Sequence, residues 1–223
     1  MDSQNSVLKS SYFYLLVALV SFFLINPFLE GNRISNIIIV CFFCYIILLS
    51  IYIVAKNRVI ATATICLGAL SFVSYWYIIW VSESDLASLV HFVITILFLG
   101  TITFSVISSV TKRQRVTADT LLGAICGYLL LGFTWSFIYL SIASVDPDSF
   151  SIHRNHDSLR SHVDHFVYYS FVTLTTTGYG DILALKSVAR TFSWMEAAIG
   201  QIYLAVWISQ LVGLRILQHQ DLK

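Results

Sequence analysis

Long apolar segments without charged side chains constrain this chain more than any other feature. The predicted membrane spans are residues 11–29, 34–55, 59–82, 86–111, 120–145 and 191–214. Each comes close to or exceeds the roughly 20 apolar residues that an α-helix needs to cross a bilayer. The first five contain no Asp, Glu, Lys or Arg, and the sixth contains only Glu196. The sequence therefore predicts an all-α membrane protein with six transmembrane helices.

The composition supports a bilayer as the main solvent. Of the 223 residues, 57% are hydrophobic and only 11% are charged, which is too little charge to cover a soluble domain of this length. The net charge of +1 comes without a basic tract, so nothing favours nucleic-acid binding. The sequence also has no nucleophile elbow, P-loop or dinucleotide fingerprint. We therefore expect neither enzyme activity nor a bound cofactor.

Basic residues in the short loops predict the orientation of the spans. Lys56 and Arg58 follow the second span and a basic cluster follows the fourth, whereas the short loops on the opposite side hold only Arg33. Loops rich in Lys and Arg stay on the cytoplasmic side. We therefore expect cytoplasmic N- and C-termini in an inner or plasma membrane.

The spans divide into two predicted units. Residues 1–111 hold four spans with short connections, and residues 112–223 hold the last two, which a long loop separates. One role to consider for the first unit is that of a voltage sensor. Such a sensor needs charged side chains inside the electric field of the membrane, where each elementary charge is worth about 2.3 kcal/mol per 100 mV. The fourth span contains no Lys or Arg, and His91 alone cannot supply a steep response. We expect a first unit that is sensor-like or unrelated in structure, and electrically silent.

The long loop contains an apolar stretch, HVDHFVYYSFVTLT, that is too short to cross the membrane. Ser161 and Asp164 resemble a capping box, which predicts a helix from near His162 to about Thr175, some 20 Å long. Such a helix would enter the bilayer part-way, and the chain would turn back through TTGYGD. Irregular backbone at that depth is tolerated only where it is buried in protein or lines a water-filled cavity.

The segment TLTTTGYGD, residues 173–181, occupies this turn. Gly178 and Gly180 relax the φ restriction at alternate positions, and the residues between and before them are expected to keep ordinary geometry. A strand of this kind can point successive carbonyl groups the same way. Four such strands around an axis would form rings of oxygen that replace the water shell of a cation. Because each chain has one copy, we expect a homotetramer with the pore on its symmetry axis.

The segment TLTTTGYGD resembles the selectivity filter of potassium channels, whose core pattern is T-V-G-Y-G-D after a short pore helix. The matching residues are Thr176, Gly178, Tyr179, Gly180 and Asp181, and the departure is Thr177, where valine or isoleucine is usual. The stretch EAAIGQIYLAVWISQLVGL is similar to the inner helix of small prokaryotic potassium channels. The resemblance covers about residues 116–217 and implies a re-entrant pore helix and a filter loop between the fifth and sixth spans.

The resemblance implies a role for each filter residue. The backbone carbonyls of Thr176, Thr177, Gly178 and Tyr179 would coordinate dehydrated potassium, the permeant ion. The Thr176 hydroxyl would supply the innermost ring. The Thr177 hydroxyl would lie behind the filter, where an apolar group is usual, and would alter filter rigidity and inactivation.

The resemblance also implies roles around the filter. Asp181 would form a ring of carboxylates at the outer mouth and raise the local cation concentration. Tyr168 or Tyr169 would bond to it in place of the usual tryptophan of the pore helix. Gly200 lies where many members of the family have the hinge glycine of the inner helix.

Two polar residues of the sixth span leave alternatives open. Glu196, as an acid inside a span, is a functional candidate, but it can also form a structural hydrogen bond to the pore helix or the fifth span, or pair with Arg190. Gln201 either faces the cavity or is buried between subunits. The long loop also holds a group of histidines that either sense protons or zinc or are ordinary solvated residues, namely His153, His156, His162 and His165.

The predicted function is that of a potassium-selective channel that conducts passively through four TTGYGD segments, with splay of the inner helices near Gly200 as the gate. A weakly selective cation channel is the nearest alternative, and Thr177 is the residue that favours it. A non-conducting membrane sensor or regulatory subunit is a third. A re-entrant hairpin in a transporter or scaffold would leave the order of Thr, Gly, Tyr, Gly and Asp unexplained.

Overall fold

The regular secondary structure of the described part of the chain is helical, apart from one isolated β-bridge between Phe150 and Ala184. A computed structural model describes residues 11–25, 45, 58–80, 84–113, 116–152 and 159–220. Its helices are α1 (Ser11–Ile25), α2 (Arg58–Trp80), α3 (Asp85–Thr111), α4 (Ala118–Val145), a 3-10 turn (Pro147–Ser149), α5 (Leu159–Leu174) and α6 (Ser187–Gln220). This confirms the all-α class.

Four of the described helices are long and apolar enough to cross a membrane, within Arg58–Ile78, Asp85–Thr111, Ala118–Val145 and Ser187–Ile216. The apolar helix Tyr12–Ile25 is shorter. The predicted span 34–55 lies outside the described residues apart from Tyr45. The protein is thus a membrane protein with at least these four helices of spanning length.

Local capping signals decide where two of the helices begin. Thr117 and Thr120 form a reciprocal capping box at the start of α4, and Ser84 accepts a hydrogen bond from the backbone N–H of Ala87 at the start of α3. The predicted start of α5 near His162 is wrong. The helix begins at Leu159, so Ser161 lies inside it, where a residue cannot act as the N-cap.

The sixth helix extends beyond the predicted span 191–214 at both ends. Hydropathy marks the stretch that suits lipid, whereas backbone hydrogen bonds continue a helix through polar flanks that contain no breaker. The first residues of α6 and its last turns are of this polar kind.

Helix α4 holds the other helices together. It packs against α1, α3, α5 and α6, while α2 packs against α3. Phe133 and Phe137 of α4 meet edge to face, Phe92 of α3 lies 6.2 Å from Phe137, and Phe23 of α1 lies 5.0 Å from Phe171 of α5, all between ring centroids. One buried core therefore includes side chains from both predicted units. The predicted boundary after residue 111 falls at the turn between α3 and α4.

The α2–α3 contact is polar but uncharged. His91 of α3 is buried, and its Nδ1 lies 2.8 Å from the Ser74 hydroxyl of α2. One turn further along α3, the hydroxyl of Thr95 lies 2.8 Å from that of Ser71. Hydroxyl and imidazole groups that pair across helices are satisfied without charge in a bilayer.

Candidate functional site

The segment after α5 has the backbone geometry that its glycines suggest. We call residues 175–181 the glycine loop. Gly178 has φ of 57° and Gly180 has φ of 79°, a region that side-chain-bearing residues rarely adopt. A Cβ built on either glycine meets nothing within 4 Å. Backbone conformation rather than lack of space therefore requires glycine at both positions.

Thr176 adopts the same left-handed conformation, with φ of 57°. The expectation of ordinary geometry before the first glycine is therefore wrong. The cause is the end of α5, where the N–H groups of Thr177 and Gly178 both reach back to the carbonyl of Val172, at 3.0 and 3.3 Å. A residue in the left-handed conformation allows these N–H groups to reach the carbonyl at the end of the helix. For a β-branched residue such as threonine, this conformation is unfavourable by about 1–3 kcal/mol.

The threonine hydroxyls of the glycine loop form a local chain of hydrogen bonds. Thr175 Oγ1 donates to the carbonyl of Phe171 at 2.6 Å and lies 2.8 Å from the hydroxyl of Thr177. Thr176 Oγ1 donates to the carbonyl of Thr175 at 2.7 Å. The Thr177 hydroxyl therefore has a polar partner within its own segment.

Gln201 of α6 reaches the first part of this loop. Its amide Nε2 lies 3.3 Å from Thr176 Oγ1, and its side chain is exposed. A residue directly after Gly200 is thus brought to the start of the glycine loop. One lone pair of the Thr176 oxygen remains available for another ligand.

Tyr168 of α5 joins the other end of the glycine loop. Its hydroxyl donates a hydrogen bond to Asp181, and its ring stacks on that of Tyr179 with 6.4 Å between centroids. This bond lowers the pKa of the Asp181 carboxyl and raises the pKa of the Tyr168 hydroxyl. The other candidate, Tyr169, is buried with its hydroxyl 2.6 Å from that of Ser193.

A short antiparallel contact holds the chain that leaves the glycine loop. Ser151 N–H donates to the Leu183 carbonyl at 2.9 Å, and Leu185 N–H donates to the Ser149 carbonyl at 2.8 Å. The Leu183 N–H also donates to the Ser151 hydroxyl at 2.8 Å. We call these contacts the strap. The strap was not predicted from the sequence because so short a pairing shows no alternation of apolar and polar residues.

Glu196 of α6 is completely buried and hydrogen-bonded to both neighbouring helices. Its Oε2 accepts from the Tyr139 hydroxyl of α4 at 2.6 Å, and its Oε1 lies 2.6 Å from the Ser170 hydroxyl of α5. Arg190 instead donates from Nε to the Ala184 carbonyl at 3.1 Å. Of the alternatives for Glu196, the hydrogen bonds are present and the pairing with Arg190 is not.

Gly200 allows α6 to approach the end of α5. A Cβ at this position would collide with the backbone carbonyl oxygen of Leu174 and lie 2.9 Å from Leu174 Cδ1. The Tyr128 hydroxyl donates to the same carbonyl at 3.1 Å. Helix α6 continues through Gly200, so its described role is close packing.

The predicted histidine group falls mostly where nothing can be described. His153 and His156 lie outside the described residues, as does the side chain of His162. The described part of the site therefore consists of the glycine loop, the strap and the contacts of α5 with α4 and α6.

Comparison with known proteins places this arrangement in context. The model of a protein family described as ion channel matches residues 92–214, more than half of the chain. The matched range runs from within α3 to within α6 and includes the whole glycine loop. No curated protein and no solved structure matches the chain.

Proposed function

Since the chain belongs to the ion channel family, we propose that it conducts potassium passively through the glycine loops of four subunits. The observation that carries the proposal is the positive φ at Thr176, Gly178 and Gly180 within the sequence TTTGYGD. Alternation of this kind turns successive carbonyl groups toward one side, which an ion needs when protein oxygens replace its water shell.

In this proposal the carbonyl groups of Thr176, Thr177, Gly178 and Tyr179 bind the dehydrated ion. One loop cannot surround an ion, so the functional unit is a homotetramer. The spans run in the bilayer of the inner or plasma membrane with both termini in the cytoplasm. Residues 112–223 form the pore domain, and α5 is the re-entrant pore helix.

Charges near the glycine loop favour a cation at both of its ends. Asp181 is exposed and the hydrogen bond from Tyr168 lowers its pKa, so a ring of these carboxylates attracts cations at the outer mouth. At the inner end, the C-terminus of α5 carries the partial negative charge of the helix dipole. Neither group is a ligand in this proposal, and both raise the local concentration of the ion.

A weakly selective cation channel is the second candidate, and the Thr177 hydroxyl is the observation that favours it. This hydroxyl lies 2.8 Å from the hydroxyl of Thr175. A loop held by exchangeable hydroxyl contacts can change its width more easily than one packed on apolar side chains, and a loop of variable width discriminates less between potassium and sodium.

The reversal potential in planar bilayers under opposed potassium and sodium gradients separates the two candidates. For the purified protein we expect a value near the potassium equilibrium potential. Gly178→Asp should abolish the current because a side chain and a charge enter a left-handed glycine position. Gly100→Ala is the matched control, since a Cβ there also meets nothing within 4 Å. A robust current that reverses near zero would contradict potassium selectivity.

A further inference from the structure

Three short oxygen–oxygen contacts meet around Glu196. The Tyr139 hydroxyl lies 2.6 Å from Oε2, and the Ser170 hydroxyl lies 2.6 Å from Oε1. The same Ser170 oxygen is also 2.6 Å from the backbone carbonyl oxygen of Gly132 in α4. Each separation is that of an O–H···O hydrogen bond, so each contact needs a proton.

An ionised carboxyl leaves this cluster one proton short. Tyr139 and Ser170 carry one hydroxyl proton each. The Tyr139 hydroxyl uses its proton in the hydrogen bond to Oε2. The Ser170 proton then serves either Glu196 or Gly132, and the remaining pair of oxygens faces each other without a proton. A proton on Oε1 removes the conflict, because Glu196 then donates to Ser170 and Ser170 donates to Gly132.

The surroundings of Glu196 decide between these two states, because contacts of 2.6 Å also occur with carboxylates. The groups that face it from α4 and α5 are uncharged, namely Tyr128, Tyr139, Tyr169 and Ser170. Within the described part of the chain, ion pairs join Arg113 to Asp119 and Lys186 to Asp146, and none involves Glu196. A buried carboxylate without a cation is strongly unfavourable.

We propose that Glu196 carries a proton and acts as a neutral positioning residue that ties α5 to α4 and α6. The glycine loop begins directly after Leu174, the last residue of α5. Displacement of α5 would therefore displace the loop. The protonated state of Glu196 is independent of the proposed function, whereas its effect on potassium conduction rests on that function.

Infrared spectroscopy of the purified protein in lipid at neutral pH tests the proton. We expect a carbonyl stretch in the region of protonated carboxylic acids that disappears in Glu196→Gln. Asp119→Asn is the control, because Asp119 is paired with Arg113 at 2.5 Å and should contribute no such band. Identical spectra for the wild-type protein and Glu196→Gln in this region would overturn the proposal.

Substitutions then test the positioning role. In Glu196→Gln, the amide oxygen can accept from Tyr139 and the amide N–H can donate to Ser170, so thermal stability and potassium selectivity should remain those of the wild type. Glu196→Ala removes both contacts, so it should lower the thermal stability and abolish the potassium selectivity. Loss of selectivity in a stably folded Glu196→Gln protein would mean that the charge is needed, and would overturn the proposal.

The two readouts keep this inference separate from the proposed function. The infrared band and the thermal unfolding of Glu196→Gln do not require a current. A wild-type protein that retains the band but conducts no potassium would refute the proposed function and leave the proton on Glu196 supported.

Discussion

The two ends of α6 differ in how closely they pack against the other described helices. Near the glycine loop, Glu196 and Gly200 are buried, and both contact α5 directly. In the second half of the helix, Ile208, Val212 and Ile216 are exposed. There, Gln210 donates a hydrogen bond from Nε2 to the Thr111 carbonyl at the end of α3, at 3.0 Å.

This difference bears on where α6 can move. A hinge needs free space around the residue that bends, and Gly200 has the Leu174 carbonyl against it, whereas Gly213 has nothing within 4 Å of a built Cβ. Within the proposed channel, we expect the part of α6 before Gly200 to stay fixed while the distal part moves. The hinge at Gly200 stays a prediction.

The largest effect should come from Gly200→Ala. The added Cβ meets a backbone carbonyl, which cannot move aside as a flexible side chain can. Overpacking of this kind destabilises by about 1–3 kcal/mol, and a collision with backbone places this variant at the upper end of that range. Gly213→Ala should leave stability unchanged or raise it by up to about 1 kcal/mol, because alanine favours helix. Thermal unfolding in detergent measures both, and equal effects would remove the contrast between the two ends.

The next effect in size is expected from Tyr139→Phe, which should destabilise the protein more than Tyr203→Phe does. The Tyr139 hydroxyl serves a buried carboxyl that is left without this donor, a loss of about 1–3 kcal/mol. The Tyr203 hydroxyl donates to the Ala124 carbonyl within α4 at 2.7 Å, and losing this neutral bond costs about 0.5–1.5 kcal/mol. The ranking can be measured by unfolding in denaturant. A larger loss for Tyr203→Phe would reverse the comparison.

A change in pH dependence rather than in stability is expected from Tyr168→Phe. The Tyr168 hydroxyl bond lowers the pKa of Asp181, so this carboxylate stays charged to lower pH. Its stabilising contribution is present above the ordinary pKa of an aspartate and is lost as pH falls through the lowered value. Without the hydroxyl the pKa rises, and acid inhibition of the potassium current should begin at higher pH.

External pH titration of the current measures this shift, with Tyr77→Phe as the control because Tyr77 is exposed on α2. An unchanged inhibition curve for Tyr168→Phe would show that Asp181 does not control cation entry.

The smallest effect should come from Lys186→Ala. Lys186 lies directly before α6, and its Nζ is 3.5 Å from an Asp146 carboxylate oxygen, with both side chains largely exposed. Exposed pairs of this kind contribute about 0–1 kcal/mol. Thermal unfolding should therefore show almost no shift. A large one would mean that surface charge, rather than the buried contacts of Glu196 and Gly200, holds this end of α6.

The sequence predicted helix positions best where charge and hydropathy change together. The bounds of α3 and α4 were within two residues of the predicted spans, because these uncharged segments end at polar loops. The start of α5 was not predicted, since the capping pattern at Ser161 lies inside a helix whose first turn begins at Leu159.

Contacts of the site were predicted only where few partners were possible. The choice of Tyr168 or Tyr169 for Asp181 was already narrow, and the structure joins Asp181 to Tyr168. The Tyr139–Glu196–Ser170 contacts come from three helices that are distant in sequence, so no local pattern contains them. The left-handed Thr176 was missed because propensity favours glycine or asparagine at such a position.

Threonine at position 176 is unfavourable for the backbone conformation but supplies a hydroxyl oxygen that accepts a hydrogen bond. Glycine would suit a φ of 57° better than threonine does, yet it would leave the Gln201 amide without its acceptor. Thr176→Gly should therefore raise the intrinsic stability of the turn while it removes one oxygen from the start of the glycine loop. In the proposed channel, Thr176 thus lowers the resistance of this turn to unfolding and supplies an oxygen for ion discrimination.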